Sequence, residues 1–344
     1  LLNAIAVLII TCPCALGLAA PAVQIVAAGR LFKRGVLMKS GDALERLAES
    51  RTIIFDKTGT LTLGRPTLKN RDEISPDALA AAAALARISR HPLSRAVVEA
   101  AGPGEVAADA VEFSGLGVEG TWRSMRTRFG SPGWTGAEAS GGEAAGMAAW
   151  LKIADRAPVR FLFEDAPRAD AAEVVAALKA MDLEPELLSG DRTPVAAAMA
   201  RALGVQRWRA EVGPKEKAAR IAELVAAGVK PAMVGDGLND APSLAAAHVS
   251  LAPGTAAAAS QSAADFVYLG DRLDGVVEAV RVSRKARARL IENFAFAALY
   301  NLVAIPIAVF GFVTPLIAAA AMSGSSIVVI LNALRLSGGG KAAR

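Results

Sequence analysis

Two stretches of this chain carry almost no charge, and they limit its folding more than any other feature. No residue from Leu1 to Gly29 is charged, and from Ile291 to Leu334 the only charged side chain is Glu292. Apolar runs of about 20 residues are long enough to cross a hydrocarbon layer as helices. The first stretch predicts one spanning helix over 1–29; it has no basic leader and outruns the short apolar core of a secretory signal. The second is too long for one ordinary span and holds Pro306, Gly311 and Pro315 near its middle. It predicts two helices, 286–310 and 311–335, turning around Phe310 to Thr314, with a tail over 336–344.

Basic residues flank these spans on one side. Arg30, Lys33, Arg34 and Lys39 follow the first, Arg281, Arg284, Lys285, Arg287 and Arg289 precede the second, and Arg335, Lys341 and Arg344 follow the third. The positive-inside bias puts all three clusters in the cytoplasm, so the large middle of the chain is cytoplasmic as well. The net charge of +5 is accounted for in this way. Nucleic acid is not an expected partner, since aromatics are 5% of the residues and are not interleaved with the basic ones. A hydrophobic fraction of 53% excludes a disordered chain, and two cysteines exclude a disulfide scaffold.

The middle alternates short apolar runs with Ala-rich amphipathic stretches. RTIIFD, PELLSGD and PAMVGD each read as a buried parallel strand that ends in a polar loop. Helices are expected over 171–180, 194–203 and 215–227. Open α/β sheets gather ligands at the carboxyl ends of their strands, which would bring Asp56, Asp191 and Asp236 to one edge. A second unit over 69–154 interrupts this pattern, leaving the sheet domain in two pieces, 30–68 and 155–285.

DKTGT at Asp56 to Thr60 is the most specific signal in the chain, and with it the sequence resembles a P-type ATPase. GDGLND at Gly235 to Asp240, SGD at Ser189 to Asp191 and VGPKEK around Lys215 follow in the family's order. The resemblance implies an α/β haloacid dehalogenase-like phosphorylation domain with an inserted α+β nucleotide-binding domain, joined to transmembrane helices. It implies that Asp56 takes the γ-phosphoryl group of ATP. A carboxylate can do so only if neighbouring charge is neutralised, a task for Lys57, backbone donors and Mg²⁺. By the same resemblance, Asp56, the Thr58 carbonyl and Asp236 supply oxygens to Mg²⁺, and Asp240 supports the site. Asn239, Ser189, Gly190 and Asp191 surround the phosphoryl group, and Lys215 stabilises its charge. The family usually has Thr where Ser189 stands; the hydroxyl is kept.

HPL at His91 to Leu93 and GLG at Gly115 to Gly117 resemble the adenine-side motifs of the heavy-metal branch. His91 and Pro92 are then expected at the base, and Gly115 and Gly117 let backbone approach the nucleotide. This chain departs from the branch at Arg90, where Glu is usual. His248 has no such neighbours and reads as structural.

Cys12-Pro13-Cys14 lies in the first apolar stretch and contains both cysteines. On a regular helix, i and i+2 do not share a face, and the pair is badly placed for a disulfide. Pro13 disrupts the preceding turn and lets both sulfurs turn toward one cavity. Soft thiolates with no histidine nearby favour Cu⁺ over hard cations and over Zn²⁺. CPC is the heavy-metal signature of the family. Tyr300, Asn301, Met322 and Ser326 resemble the YN and MxxSS motifs of its copper-transporting subgroup, which implies a Cu⁺ path through Cys12, Cys14, Met322 and those residues.

The resemblance also implies what lies outside the chain: further amino-terminal helices and an actuator domain with a TGE loop, making this the C-terminal portion of a longer pump. The implied function is ATP-driven Cu⁺ export from the bacterial cytoplasm through an aspartyl-phosphate. Implied partners are membrane lipid, a cytoplasmic copper chaperone and a periplasmic copper acceptor. LFKRGVLMKSGDALERLAES and the closing VTPLIAAAAMSGSSIVVILNALRL are similar to copper pumps of cytochrome oxidase assembly. Transport of Ag⁺ or Zn²⁺ is one alternative, and a membrane-anchored haloacid dehalogenase-type phosphatase is another. Thr58 disfavours the phosphatase, because such enzymes commonly carry a second Asp two residues after the nucleophile.

Overall fold

The computed structural model describes residues 2–12, 14–137, 147–236 and 240–337. The chain divides into two compact units, one from Leu1–Phe55, Asp170–Glu186 and Pro214–Arg344, the other from Asp56–Ala169 and Leu187–Gly213.

A mainly parallel sheet organises the first unit. Its strands run in the order Val36–Met38, Phe266–Tyr268, Val249–Pro253, Pro231–Val234, Thr52–Asp56 and Glu184–Leu188, the last continuing into the second unit. Val36–Met38 is antiparallel to its neighbour; the next three pairings are parallel. Ile53, Ile54 and Phe55 are fully buried. A strand covered on both faces reads as an unbroken apolar run rather than an alternation, which is why the sequence pattern there is continuous. Helices Ala171–Ala180 and Pro214–Ala226 form close to the expected positions.

The membrane segments belong to this unit and differ from expectation in two ways. Among the described residues, Leu2–Lys33, Asp274–Val309 and Pro315–Leu334 are long and apolar enough to span. The first is not one helix over 1–29: Leu2–Ile10 ends before the cysteines and Cys14–Lys33 begins after the break. Because Cys12 lies outside regular helix, the i and i+2 argument against a disulfide does not hold. Cys12 and Cys14 are joined, with their Cα atoms 5.5 Å apart. Pro13 itself lies outside the described residues. The second departure is the helix expected to start at 286, which begins at Asp274 and runs unbroken to Val309. Asp170 caps its start, its Oδ2 accepting from the Leu273 and Asp274 amides at 2.8 and 3.2 Å. Small residues pack the spans together: Ala6 with Ala308 and Ala318, and Ala15 and Ala19 with Val329. Of the tail, residues from 338 on lie outside the described residues.

The second unit carries an antiparallel sheet in the order Thr67–Leu68, Val159–Glu164, Met147–Ile153, Met125–Gly130, Gly117–Trp122 and Ala108–Phe113. It begins before 69 and ends after 154, so the inserted sheet is wider at both ends than the sequence suggested. The outermost pairing, Thr67 opposite Glu164, closes the insertion on itself. Helices Pro76–Ala86 and Pro92–Ala101 cover one face. The Ala81 to Ala84 run is buried against Val118, Phe129 and Phe161, and its small side chains let the helix sit close to the sheet.

One buried ion pair ties the spans to the first unit's cytoplasmic part. Arg30 Nε and Nη2 donate to Glu278 Oε1 at 3.1 and 3.0 Å, and Nη1 donates to the Leu336 carbonyl at 2.8 Å. Three helix ends meet at this arginine. Removing one partner of such a pair strands the other charge. Glu278→Ala is expected to lower stability by about 3 kcal/mol, and Arg30→Ala by a similar amount. The double variant should lose much less than the sum. Strictly additive losses in detergent-solubilised denaturation would show that the pair has no coupling.

Candidate active site

Asp56 is the last residue of the strand Thr52–Asp56, and Phe55 before it lies opposite Val234 in register. Asp236 follows Val234 by two residues, so both carboxylates leave the sheet at the carboxyl edge. Asp56 is only 5% exposed, and Lys57 beside it is 4% exposed. The chain then turns sharply through Gly59, whose φ of +71° favours glycine. Gly59 N donates to Thr62 Oγ1 at 3.1 Å, and the Thr62 hydroxyl donates to Asp165 Oδ2 at 2.6 Å. Arg168 closes the same turn from behind: its Nε reaches the Thr60 and Thr62 carbonyls at 2.8 and 3.2 Å, and its Nη2 the Gly59 carbonyl at 2.8 Å.

Lys57 forms an ion pair with Asp191. Ser189 Oγ accepts from the Asp191 amide at 3.1 Å and donates to Asp191 Oδ2 at 3.1 Å, which fixes the SGD loop around that carboxylate. Gly190 lies at the crest of this loop, with the Val212 carbonyl 3.6 Å from where a Cβ would stand. Thr58 is exposed. Burial holds the Asp165 carboxyl above its ordinary range, against the Thr62 hydrogen bond and the Lys57 charge, which pull it down.

Lys215 is exposed on the helix Pro214–Ala226, whereas Lys217 is buried with Ile221 on its inner face. Lys217 Nζ stands 3.0 Å from Asp240 Oδ1, and Asp240 is itself 2% exposed. Residues 217 and 221 are four apart and share a helix face, and 215 lies off it. Gly235 makes room for the pair: a Cβ there would stand 3.1 Å from Asp240 Cβ. Asn239 lies outside the described residues. Thr62, Asp165, Arg168 and Lys217 were not singled out in the sequence.

In the second unit, Ser89, His91, Glu112, Gly115, Gly117 and Phe129 line a pocket of about 230 Å³. His91 opens the helix Pro92–Ala101, its Nδ1 accepting from the Leu93 amide at 3.3 Å, so a neutral ring carries its proton on Nε2. Pro92 is the first residue of that helix, a position that needs no amide donor. Gly117 has no alternative, because a Cβ on it would lie 2.2 Å from the Phe129 carbonyl. Arg90 is exposed and lies outside the pocket lining.

Within the spans, Cys14 Sγ lies 4.0 Å from Met322 Sδ, across 308 positions of sequence. Ser326 Oγ donates to the Met322 carbonyl at 3.3 Å in its own helix, and Asn301 is half-buried. The Tyr300 hydroxyl has no hydrogen-bond partner among the described residues. It lines an apolar cavity of about 570 Å³ with Phe296, Val303 and Ser325.

Residues 50–248 match the haloacid dehalogenase-like hydrolase family. The chain is 50% identical over 337 residues to the nitrogen fixation protein FixI of Rhizobium meliloti (strain 1021), covering 98% of this chain and 44% of that protein. It is 40% identical over 342 residues to the probable copper-transporting ATPase SynA of Synechococcus sp. (strain ATCC 27144 / PCC 6301 / SAUG 1402/1), covering 94% of this chain and 43% of that protein. The chain thus spans less than half the length of these curated relatives. A zinc-transporting PIB-type ATPase in its E2.Pi state superposes with a TM-score of 0.81 at 30% identity, over 95% of this chain and 56% of that one. The catalytic domain of the CPx-ATPase CopB-B superposes with a TM-score of 0.63 at 28% identity, over 74% of this chain and 98% of that one. An integral membrane protein, the chain belongs to the haloacid dehalogenase-like hydrolases and, within them, to the heavy-metal branch of the P-type ATPases.

Proposed function

We propose that the chain carries the phosphorylation, nucleotide-binding and metal-path parts of an ATP-driven Cu⁺ exporter. The observation that carries this reading is a buried aspartate at the end of a central parallel strand, followed at once by a buried lysine that is already ion-paired. In the reaction, an Asp56 oxygen attacks the γ-phosphorus and the bond to the ADP oxygen breaks, leaving an acyl phosphate. Lys57 and Lys217 offset the charge that accumulates, with Lys217 taking the role that the sequence pattern assigned to Lys215. Ser189, Gly190 and Asp191 position the phosphoryl group, and Asn239 is proposed beside it. Asp56, Asp236 and Asp240 offer carboxylate oxygens, the hard donors that suit Mg²⁺, with the Thr58 carbonyl as a further oxygen. When bound, Mg²⁺ would neutralise phosphate charge. Thr58, being no acid or base, leaves the acyl phosphate long-lived, as a pump cycle requires.

The base of ATP is assigned to the His91, Gly115 and Gly117 pocket. The proposed boundaries place the nucleotide domain between Thr67 and Glu164, and the phosphorylation domain on either side of it. Cu⁺ is favoured as cargo by three soft sulfurs, since Cys14 and Met322 lie within reach of one another and Cys12 adjoins them. Thiolates bind the ion, so the path belongs to the reduced dithiol rather than the disulfide. A cytoplasmic copper chaperone and a periplasmic acceptor are the partners such a path requires.

Two experiments test this. With γ-labelled ATP, Asp56→Asn should take no acid-stable label, Lys217→Ala should lose labelling about a hundredfold or more, and Lys215→Ala should stay within about twofold. Equal losses at 215 and 217 would remove Lys217 from the site. For the metal path, Cu⁺ titration under reducing conditions should show weakened binding in Cys14→Ser and Met322→Leu, with ATP binding retained. Unchanged Cu⁺ affinity in Met322→Leu would return Met322 to simple packing.

A further inference from the structure

The nucleotide-side pocket holds a carboxylate that the reading above leaves without a role. Glu112, on the strand Ala108–Phe113, lines the pocket, and its Oε1 accepts a hydrogen bond from Ser89 Oγ at 2.6 Å. Ser89 Oγ in turn accepts from the His91 amide at 3.1 Å, so Glu112, Ser89 and the helix-opening His91 form one connected set. Ser89 is buried, which fixes its end of the chain, while Glu112 is exposed to whatever enters. Acidic side chains are otherwise scarce there: the lining is Phe113, Leu116, Val118 and Phe129 with small polar groups.

We propose that Glu112 is a specificity-determining residue that selects adenine by accepting a hydrogen bond from its exocyclic amine. The proposal rests on the reading of this pocket as the base site of ATP. Apolar and aromatic walls suit a flat ring, and one charged group among them is a point of discrimination rather than bulk affinity. Purines differ at the 6-position, where adenine presents an amine donor and guanine or hypoxanthine a carbonyl acceptor. An ionised carboxylate only accepts, so it attracts the first and repels the others. A carboxylate can instead take guanine by two parallel bonds, from N1–H and the 2-amine, and that mode needs both oxygens. Here Ser89 already holds one acceptor site of Oε1, which makes the two-oxygen mode the less favourable of the two. The arrangement therefore favours the adenine amine. It also places the acidic group on the strand facing His91, in a chain whose residue 90 is an exposed arginine.

The test is equilibrium binding of ATP and ITP to the whole chain in detergent, without magnesium so that no turnover occurs. ITP differs from ATP at the 6-position, carrying the carbonyl in place of the amine. The chain should prefer ATP by about tenfold or more, the range of one charge-assisted hydrogen bond. Glu112→Ala should weaken ATP, leave ITP unchanged and bring the ratio close to one. Glu112→Gln, which keeps size and a neutral acceptor, should fall between. An ATP-to-ITP ratio unchanged in both variants would overturn the proposal. His91→Ala separates the two levels of the argument. If it leaves both nucleotides bound as before, the pocket is not the base site and the underlying reading fails. If it weakens both while the Glu112 variants leave the ratio intact, only the assignment of Glu112 fails.

Discussion

Charge buried at a sheet edge has to be compensated where it stands, and much of the cytoplasmic structure follows from that requirement. Asp56, Lys57, Lys217 and Asp240 are all nearly inaccessible to water. Left alone, each would cost several kcal/mol or would neutralise by shifting its proton. Lys57 is matched by Asp191 and Lys217 by Asp240, and each partner comes from a distant part of the chain. The pairs therefore fix tertiary structure as well as charge. They also hold both lysines in fixed positions, so that little reorganisation would be needed if an anion bound there.

The turn after Asp56 is held by means that use no charge on the substrate side. Arg168 donates to three successive regions of backbone at 59, 60 and 62, satisfying carbonyls that a tight turn turns inward. Thr62 links the same turn to Asp165. A carboxyl that burial makes reluctant to ionise is a good acceptor for one hydroxyl and a poor competitor for cations.

Much of this arrangement was legible in the sequence, and the remainder was hidden for identifiable reasons. Continuous apolar runs that stop at Asp56 and Asp236 mark strand ends, because a doubly covered strand tolerates no charge before its last residue. The burial of Lys217 was legible too, through its four-residue spacing from Ile221, whereas the VGPKEK motif alone draws attention to Lys215. The Thr62–Asp165 and Ser89–Glu112 bonds join residues 103 and 23 positions apart, and no local periodicity encodes them. The break before Cys14 was only half visible. A proline signals a disturbed turn, yet whether the chain kinks or stops depends on packing, and here Leu2–Ile10 ends early with Ala6 and Ile10 packed against other spans.

The division of the chain falls beside Asp56. The boundary between the two units falls at the peptide bond between Phe55 and Asp56. Phe55 belongs with the sheet, the sulfur-bearing helices and the 36-residue helix Asp274–Val309. Asp56 belongs with the DKTGT turn, the SGD loop and the pocket around His91. A long helix transmits displacement well because its backbone bonds lie along its axis, and this one, about 54 Å long at 1.5 Å per residue, starts at a capped turn on Asp170. Arg30 ties the same helix, through Glu278, to the helix that begins at Cys14.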